Sequence, residues 1–154
     1  MDNVETRLTE LNIILPESVP ALFNYVPFVV SGNLVFVSGQ ISSGGGKVIK
    51  GRVGDSISME EAAEAAKLCA INILTQIRDA VNGDWGRVRR CVKLGGFVNC
   101  APDFTDQSLV INAASDLIVA VMGDAGRHAR FAVGAPSLPA GYAVEIDAVF
   151  EITA

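Results

Sequence analysis

Three charged residues near the end of the chain, Arg130, Glu145 and Asp147, have the types and spacing to do chemistry. A guanidinium is planar and permanently charged, and its fork of donors grips a carboxylate with two bonds at once. Ala132 and Gly134 follow Arg130 at alternate positions. In a strand those small neighbours share its face and leave room beside it for a small anion. Glu145 and Asp147 alternate with Val144, Ile146 and Ala148, so in a further strand they point away from the apolar side. If the two strands pair, arginine and carboxylates share a face. Two readings fit: a site for a small anionic molecule, or a plain cross-strand ion pair of Arg130 with Glu145 or Asp147, which at a surface contributes little.

Other chemistry is sparsely represented. The chain has one histidine, His128, and three cysteines, Cys69, Cys91 and Cys100, none in a Cys-x-x-Cys pair. A zinc site would need mostly carboxylates, so no metal is expected. The cysteines sit in apolar segments and fit reduced thiols in a cytosol. A net charge of −5 and a pI near 4.8 oppose a grip on phosphate backbones, which weighs against nucleic acid as a partner. Gly44, Gly45 and Gly46 lack the Lys-Ser/Thr pair of a phosphate loop and read as a turn. Asp2, Glu5 and Glu10 stand where a secretory leader would be basic and then apolar. The apolar runs are short and interrupted for a membrane span, so a soluble protein is expected.

With 154 residues, half of them apolar, the chain reads as one domain over 1–154, with 1–24 an arm or short helix carrying Pro16 and Pro20. Residues 28–30 and 34–38 form a hairpin about Gly32 and Asn33. Ser58 and Glu61 stand at capping-box spacing before Ala62, Ala66, Cys69, Ile73, Ile77 and Ala80, which predicts a helix that Gly83 stops. A strand over 87–100 places Val88, Val92, Leu94, Val98 and Cys100 on one face and Arg87, Arg89 and Lys93 on the other. Leu109, Ala113, Leu117 and Val121 space a second helix, begun by Asp103, Thr105 or Asp106 and ended at Gly123. Two strands close the chain, the first with Phe131, Val133 and Ala135 toward the core. This order predicts an α+β fold, a single mixed sheet with two helices packed on one face.

The run 128–139, His-Ala-Arg-Phe-Ala-Val-Gly-Ala-Pro-Ser-Leu-Pro, with Val-Glu-Ile-Asp-Ala at 144–148, resembles the C-terminal signature of the Rid family. These are the reactive intermediate deaminases, also called the YjgF family. Ser38, Gly39, Gln40 and Ile41 resemble the family's early Ser-Gly-Gln motif, Tyr25 falls where it has an active-site tyrosine, and Asn112 where an asparagine opens the second helix. His128 stands in place of the usual proline, Ala132 in place of a frequent cysteine, and Pro136 where a small or basic residue is common. These departures mark a diverged subgroup.

The resemblance implies a chorismate-mutase-like fold and a cytoplasmic homotrimer with one cleft at each subunit interface, lined by Arg130 and Glu145. It implies hydrolysis of enamine or imine intermediates such as 2-aminoacrylate to a 2-keto acid and ammonia, with no metal or organic cofactor. Arg130 would pair with the substrate carboxylate, a backbone group near Ala132 and the Glu145 side chain would place the water, and Tyr25 would cover the pocket. Gln40 and Asn112 would be structural, the asparagine satisfying backbone donors. Two other readings stay open: a binder of small carboxylates without turnover, and an endoribonuclease using Arg87, Arg89 and Lys93.

Overall fold

Two local signals seed the layers of the computed structural model, which describes residues 3–153; residues 1 and 2 of the expected arm lie outside them. The Glu61 backbone N–H donates to the Ser58 hydroxyl at 3.2 Å, and the Ser58 N–H donates to the Glu61 carboxylate at 2.8 Å. This reciprocal cap satisfies donors that a first helical turn leaves without partners and fixes the start of α2 (Met59–Ala80). Ala62, Ala66, Cys69, Ile73 and Ile77 are buried on its inner face. The second signal is the hairpin of β1 (Phe28–Ser31) and β2 (Leu34–Ile41), in which Ser31 opposes Leu34. Gly32 adopts the positive φ that a two-residue hairpin turn demands. A short ribbon of β3 (Ser43–Gly44) and β4 (Lys47–Val48) turns on Gly45 and Gly46.

The main sheet has the order β1-β2-β7-β5-β6, with β5 spanning Val88–Asn99, β6 Ala129–Ala135 and β7 Val144–Ile152. Helix α3 (Gln107–Met122) joins β5 to β6, and a strand-helix-strand crossover lays its strands parallel. Accordingly β6 pairs in parallel with β5, while β7 runs antiparallel between β2 and β5. The last two strands are therefore not neighbours, since β5 lies between them. α2 and α3 pack side by side on one face, over a core that includes Leu94, Val98, Ile146, Ala148 and Phe150. The predicted α+β architecture is the one observed, with a third, short helix α1 (Val4–Glu10) docked on α3.

Three local departures have physical causes. β5 carries two bulges, between Val88 and Arg90 and between Cys91 and Lys93. Each extra residue slips the alternation, so Cys91 is buried and Val92 only half-buried. In α3 the buried stripe is Val110, Ile111, Ala114, Ile118, Val121 and Met122, while Leu109 is 57% exposed. The helix is rolled so that Ser108, Asn112 and Ser115 face β6. By length and composition alone 107–126 is apolar enough to cross a membrane, contrary to the expectation that no segment would be. That apolarity belongs to a helix packed beside α2 on the sheet.

The N-terminal arm is both helix and strap. Arg7 in α1 donates to the Val121 carbonyl at 3.4 Å, and Arg78 in α2 donates to the carbonyls of Leu15 and Pro16 at 3.4 and 3.1 Å. The Ser18 hydroxyl donates to the Asp79 carboxylate. Beyond that clasp Val19, Leu22 and Phe23 are largely exposed.

Ile118 is fully buried between the helices and sheet. Ile118→Ala is expected to destabilise the fold by about 2–5 kcal/mol, read as a lowered urea midpoint with unchanged slope.

Candidate active site

Arg130 is positioned by the parallel ladder. Gly96 on β5 faces Ile111 of α3, and Ala132, its partner in register, packs on the same helical core. Gly134 faces Cys100 and Gln107 on that side too. Arg130, two residues before Ala132, therefore projects toward α3. Its Nη1 donates to Asn112 Oδ1 at 2.9 Å and to Ser115 Oγ at 3.1 Å, and its Nη2 donates to the Ser108 carbonyl at 3.3 Å. Positions 108, 112 and 115 are spaced four and three apart, one face of a helix.

A guanidinium has five N–H donors. With three bonds made, Nε–H and one Nη2–H have no partner among the described residues. Backbone groups lie close by. The Cys100 N–H donates to the Ala135 carbonyl at 3.2 Å, so Ala135, Val133 and Phe131 turn their backbone groups toward β5. Successive strand residues alternate, and Arg130, Ala132 and Gly134 present theirs along the free edge of the sheet. Past Ala132 on the same face is an open cavity of about 360 Å³, bordered by Cys100, Phe104, Gln107, Gly134 and Arg52. Arg52 donates to the Pro136 carbonyl at 2.8 Å.

Behind Arg130 the network continues. Ser115 Oγ lies 2.9 Å from His128 Nε2, and His128 Nδ1 lies 2.6 Å from the Gly126 carbonyl oxygen.

Glu145 occupies the other face of the sheet. Val144, Ile146 and Ala148 point into the core, so the side chains between them face away from the helices. The Glu145 carboxylate rests over Gly39, where a Cβ would collide with it, and Gly95 likewise makes room for the Asp147 carboxylate and the Phe131 ring. Half-burial, and secondarily the Asp147 charge, push the Glu145 carboxyl above its ordinary range. Around the carboxylates this face is apolar. The Phe97 and Phe131 rings meet edge to face at 5.4 Å, Lys93 Nζ lies 5.3 Å over Phe131, and Phe36 and Val133 are exposed.

The shared face expected for Arg130 and Glu145 is thus not formed within one chain, because it took Phe131 and Val133 to point at the core, whereas Ala132 packs under the helices and Phe131 and Val133 lie on the face of the carboxylates. The plain ion pair fails for the same reason: Arg130's bonds go to α3. Tyr25 is exposed just before β1, the edge strand opposite β6. Four strand spacings of about 4.8 Å separate those edges by about 19 Å. The Gln40 amide donates to the Ser38 carbonyl at 2.9 Å, a local structural bond. Asn112 departs from the expected helix-opening role: it lies inside α3 and accepts from Arg130 rather than from backbone donors. Ser108 and Ser115 were not singled out from the sequence, although a polar stripe at 108, 112 and 115 in an apolar helix is a readable signal.

Residues 5–150 match the family model described as "YjgF/chorismate mutase-like, putative endoribonuclease". The chain belongs to that family. A Trypanosoma cruzi relative, Protein TCP17, is 46% identical over 97% of this chain and 94% of its own length. Atu1372 from Agrobacterium tumefaciens, a protein of unknown function, superposes with a TM-score of 0.91 at 51% identity, covering 99% of this chain and 95% of its own. The E. coli YjgF gene product superposes with a TM-score of 0.62 at 26% identity, covering 90% and 96%. The contrast between 0.91 and 0.62 places this YjgF-family chain in a subgroup diverged from the E. coli protein.

The raised Glu145 carboxyl has a signed consequence. The folded chain holds that proton more tightly than the unfolded one, so the ionised carboxylate weakens the fold above its raised range. Stability is recovered as pH falls through that range toward the ordinary carboxyl value. Glu145→Gln is expected to resist urea better than the parent at neutral pH, the gap closing in acid. In ¹³C NMR the Glu145 titration midpoint should move down in Asp147→Asn; a parent midpoint in the ordinary range would contradict the burial argument.

Proposed function

We propose that this YjgF-family protein hydrolyses 2-imino acids, the tautomers of 2-aminoacrylate-type enamines, to 2-keto acids and ammonia. The observation that carries the reading is the posture of Arg130. Three bonds to α3 hold the guanidinium still, and its remaining Nε–H and Nη2–H can grip a carboxylate bidentately. The outward backbone groups of Ala132 are placed to meet the imine end of a molecule so held. Water adds to the imine carbon, and the carbinolamine loses ammonia to leave the carbonyl. Such imines hydrolyse in water, so orientation of substrate and water supplies much of what a catalyst needs. A carboxyl whose proton affinity is raised by burial suits the proton transfers, the role proposed for Glu145, with Tyr25 as a cover.

Because Arg130 lies at one edge on the helical side, and Glu145 and Tyr25 lie elsewhere, a site that uses all three is built from different copies of the chain. We take the copies to be three, one cleft per interface, in the cytoplasm. The exposed apolar surface of Phe36, Phe97 and Val133 around Glu145 supports burial by a neighbour. A second reading, binding of a small carboxylate without turnover, is favoured by the same separation: the Arg130 edge is complete in one chain, whereas water placement needs another. The endoribonuclease in the family's description has weaker support. Arg87 donates to the Thr153 carbonyl and Lys93 lies over Phe131, which leaves no continuous basic track with Arg89.

Generating 2-iminopropionate in situ with an amino-acid oxidase and following its decay tests the reading. Wild type should accelerate decay, and Arg130→Ala should lose about 100-fold or more in kcat/KM. Decay no faster than in buffer, with saturable binding of 2-ketobutyrate, would select the binder instead. Light scattering should give a trimer mass, and Phe97→Asp should yield monomers that retain fold but lose activity; a monomeric wild type would remove the shared cleft.

A further inference from the structure

The polar chain behind Arg130 is directional. A carbonyl oxygen can only accept, so the 2.6 Å contact with Gly126 requires the proton of neutral His128 on Nδ1. Nε2 then carries a lone pair and accepts from the Ser115 hydroxyl at 2.9 Å. The serine oxygen, its own hydrogen directed at the imidazole, accepts from Arg130 Nη1 at 3.1 Å. Donors run from Arg130 to Ser115 to His128, and from His128 to Gly126, with no conflict of polarity. His128 is half-buried and two residues before Arg130, in the extended approach to β6.

We infer that His128 and Ser115 are positioning residues for Arg130: the Nδ1–H tautomer of His128 orients the Ser115 hydroxyl, which holds the guanidinium with its free donors aimed outward. The inference rests on the proposed role of Arg130 in gripping a carboxylate, and it deepens that role. With an apolar residue at 128 the Ser115 hydroxyl is free to turn to the carbonyl one helical turn back. Arg130 then keeps Asn112 and Ser108 but loses a fixed orientation, and a flexible arginine loses affinity to the entropy of ordering it on binding.

Because His128 is the only histidine, its imidazole gives a single pair of ¹⁵N resonances, which report the tautomer without ligand. The expected result is a protonated Nδ1, with slow exchange of the Arg130 guanidinium hydrogens that quickens in His128→Ala and Ser115→Ala. Each variant should weaken 2-ketobutyrate binding about fivefold to twentyfold, and in the imine assay should raise KM with kcat held. The double variant should be no worse than either single one, since both break the same chain. His128→Gln, whose amide oxygen reaches the Nε2 position, should restore most of the affinity. Should His128→Ala fail to fold, Ser115→Ala and His128→Gln carry the test. Protonation at Nε2, or wild-type guanidinium exchange and affinity in Ser115→Ala, overturns the inference. A wild type that does not bind 2-ketobutyrate, yet shows the tautomer and the exchange coupling, overturns the proposed function and leaves the positioning role standing.

Discussion

The crossover through α3 is the constraint on which the rest of the molecule depends. A strand that leaves a sheet through a helix and returns beside its starting strand comes back parallel, so β6 is tied to β5 and ends at the sheet edge. That register turns Arg130 toward the helix that delivered it. It also leaves β7 to enter the middle of the sheet, where its alternate residues, Glu145 and Asp147, are carried to the uncovered face. One connection thus decides both where the guanidinium is held and where the carboxylates are not.

Packing then refines what the topology sets. α3 buries isoleucines and valines against the sheet and α2, while the Asn112 and Ser115 side chains and the Ser108 carbonyl form the seat of Arg130. On the other face, glycines do the shaping. Gly39 and Gly95 lack the Cβ atoms that would occupy the ground of Glu145, Asp147 and Phe131, which gives the Ser-Gly-Gln motif a steric reason beyond its sequence likeness.

What was legible in the sequence was local. The Ser58–Glu61 box, the Gly32 turn and the apolar period of α2 are decided by neighbours a few residues away, and each was observed as predicted. The strand alternation of β5 failed at its bulges, because an inserted residue is accommodated by cross-strand partners that the sequence does not name. The stripe of α3 was read one position off, since Leu109 continues an apolar period that the helix does not bury. The sidedness of Arg130 was illegible for a deeper reason: alternation tells which residues share a face but not which face is covered, and that depends on sheet order. Residue type and spacing singled out Arg130 and Glu145, and element order the α+β fold, whereas the bonds of Ser108 and Ser115 to Arg130 emerge from the geometry of α3 against β6.

The opposed placement of Arg130 and Glu145 has one further consequence. Any event that requires both groups at one point is second order or higher in this chain, so it obeys mass action rather than the integrity of a single molecule. Such a property would fade as the copies separate on dilution. It would also be vulnerable to mixing: a defective copy would disable any contacts it shared with intact neighbours, and two copies with different defects would restore between them what neither holds alone.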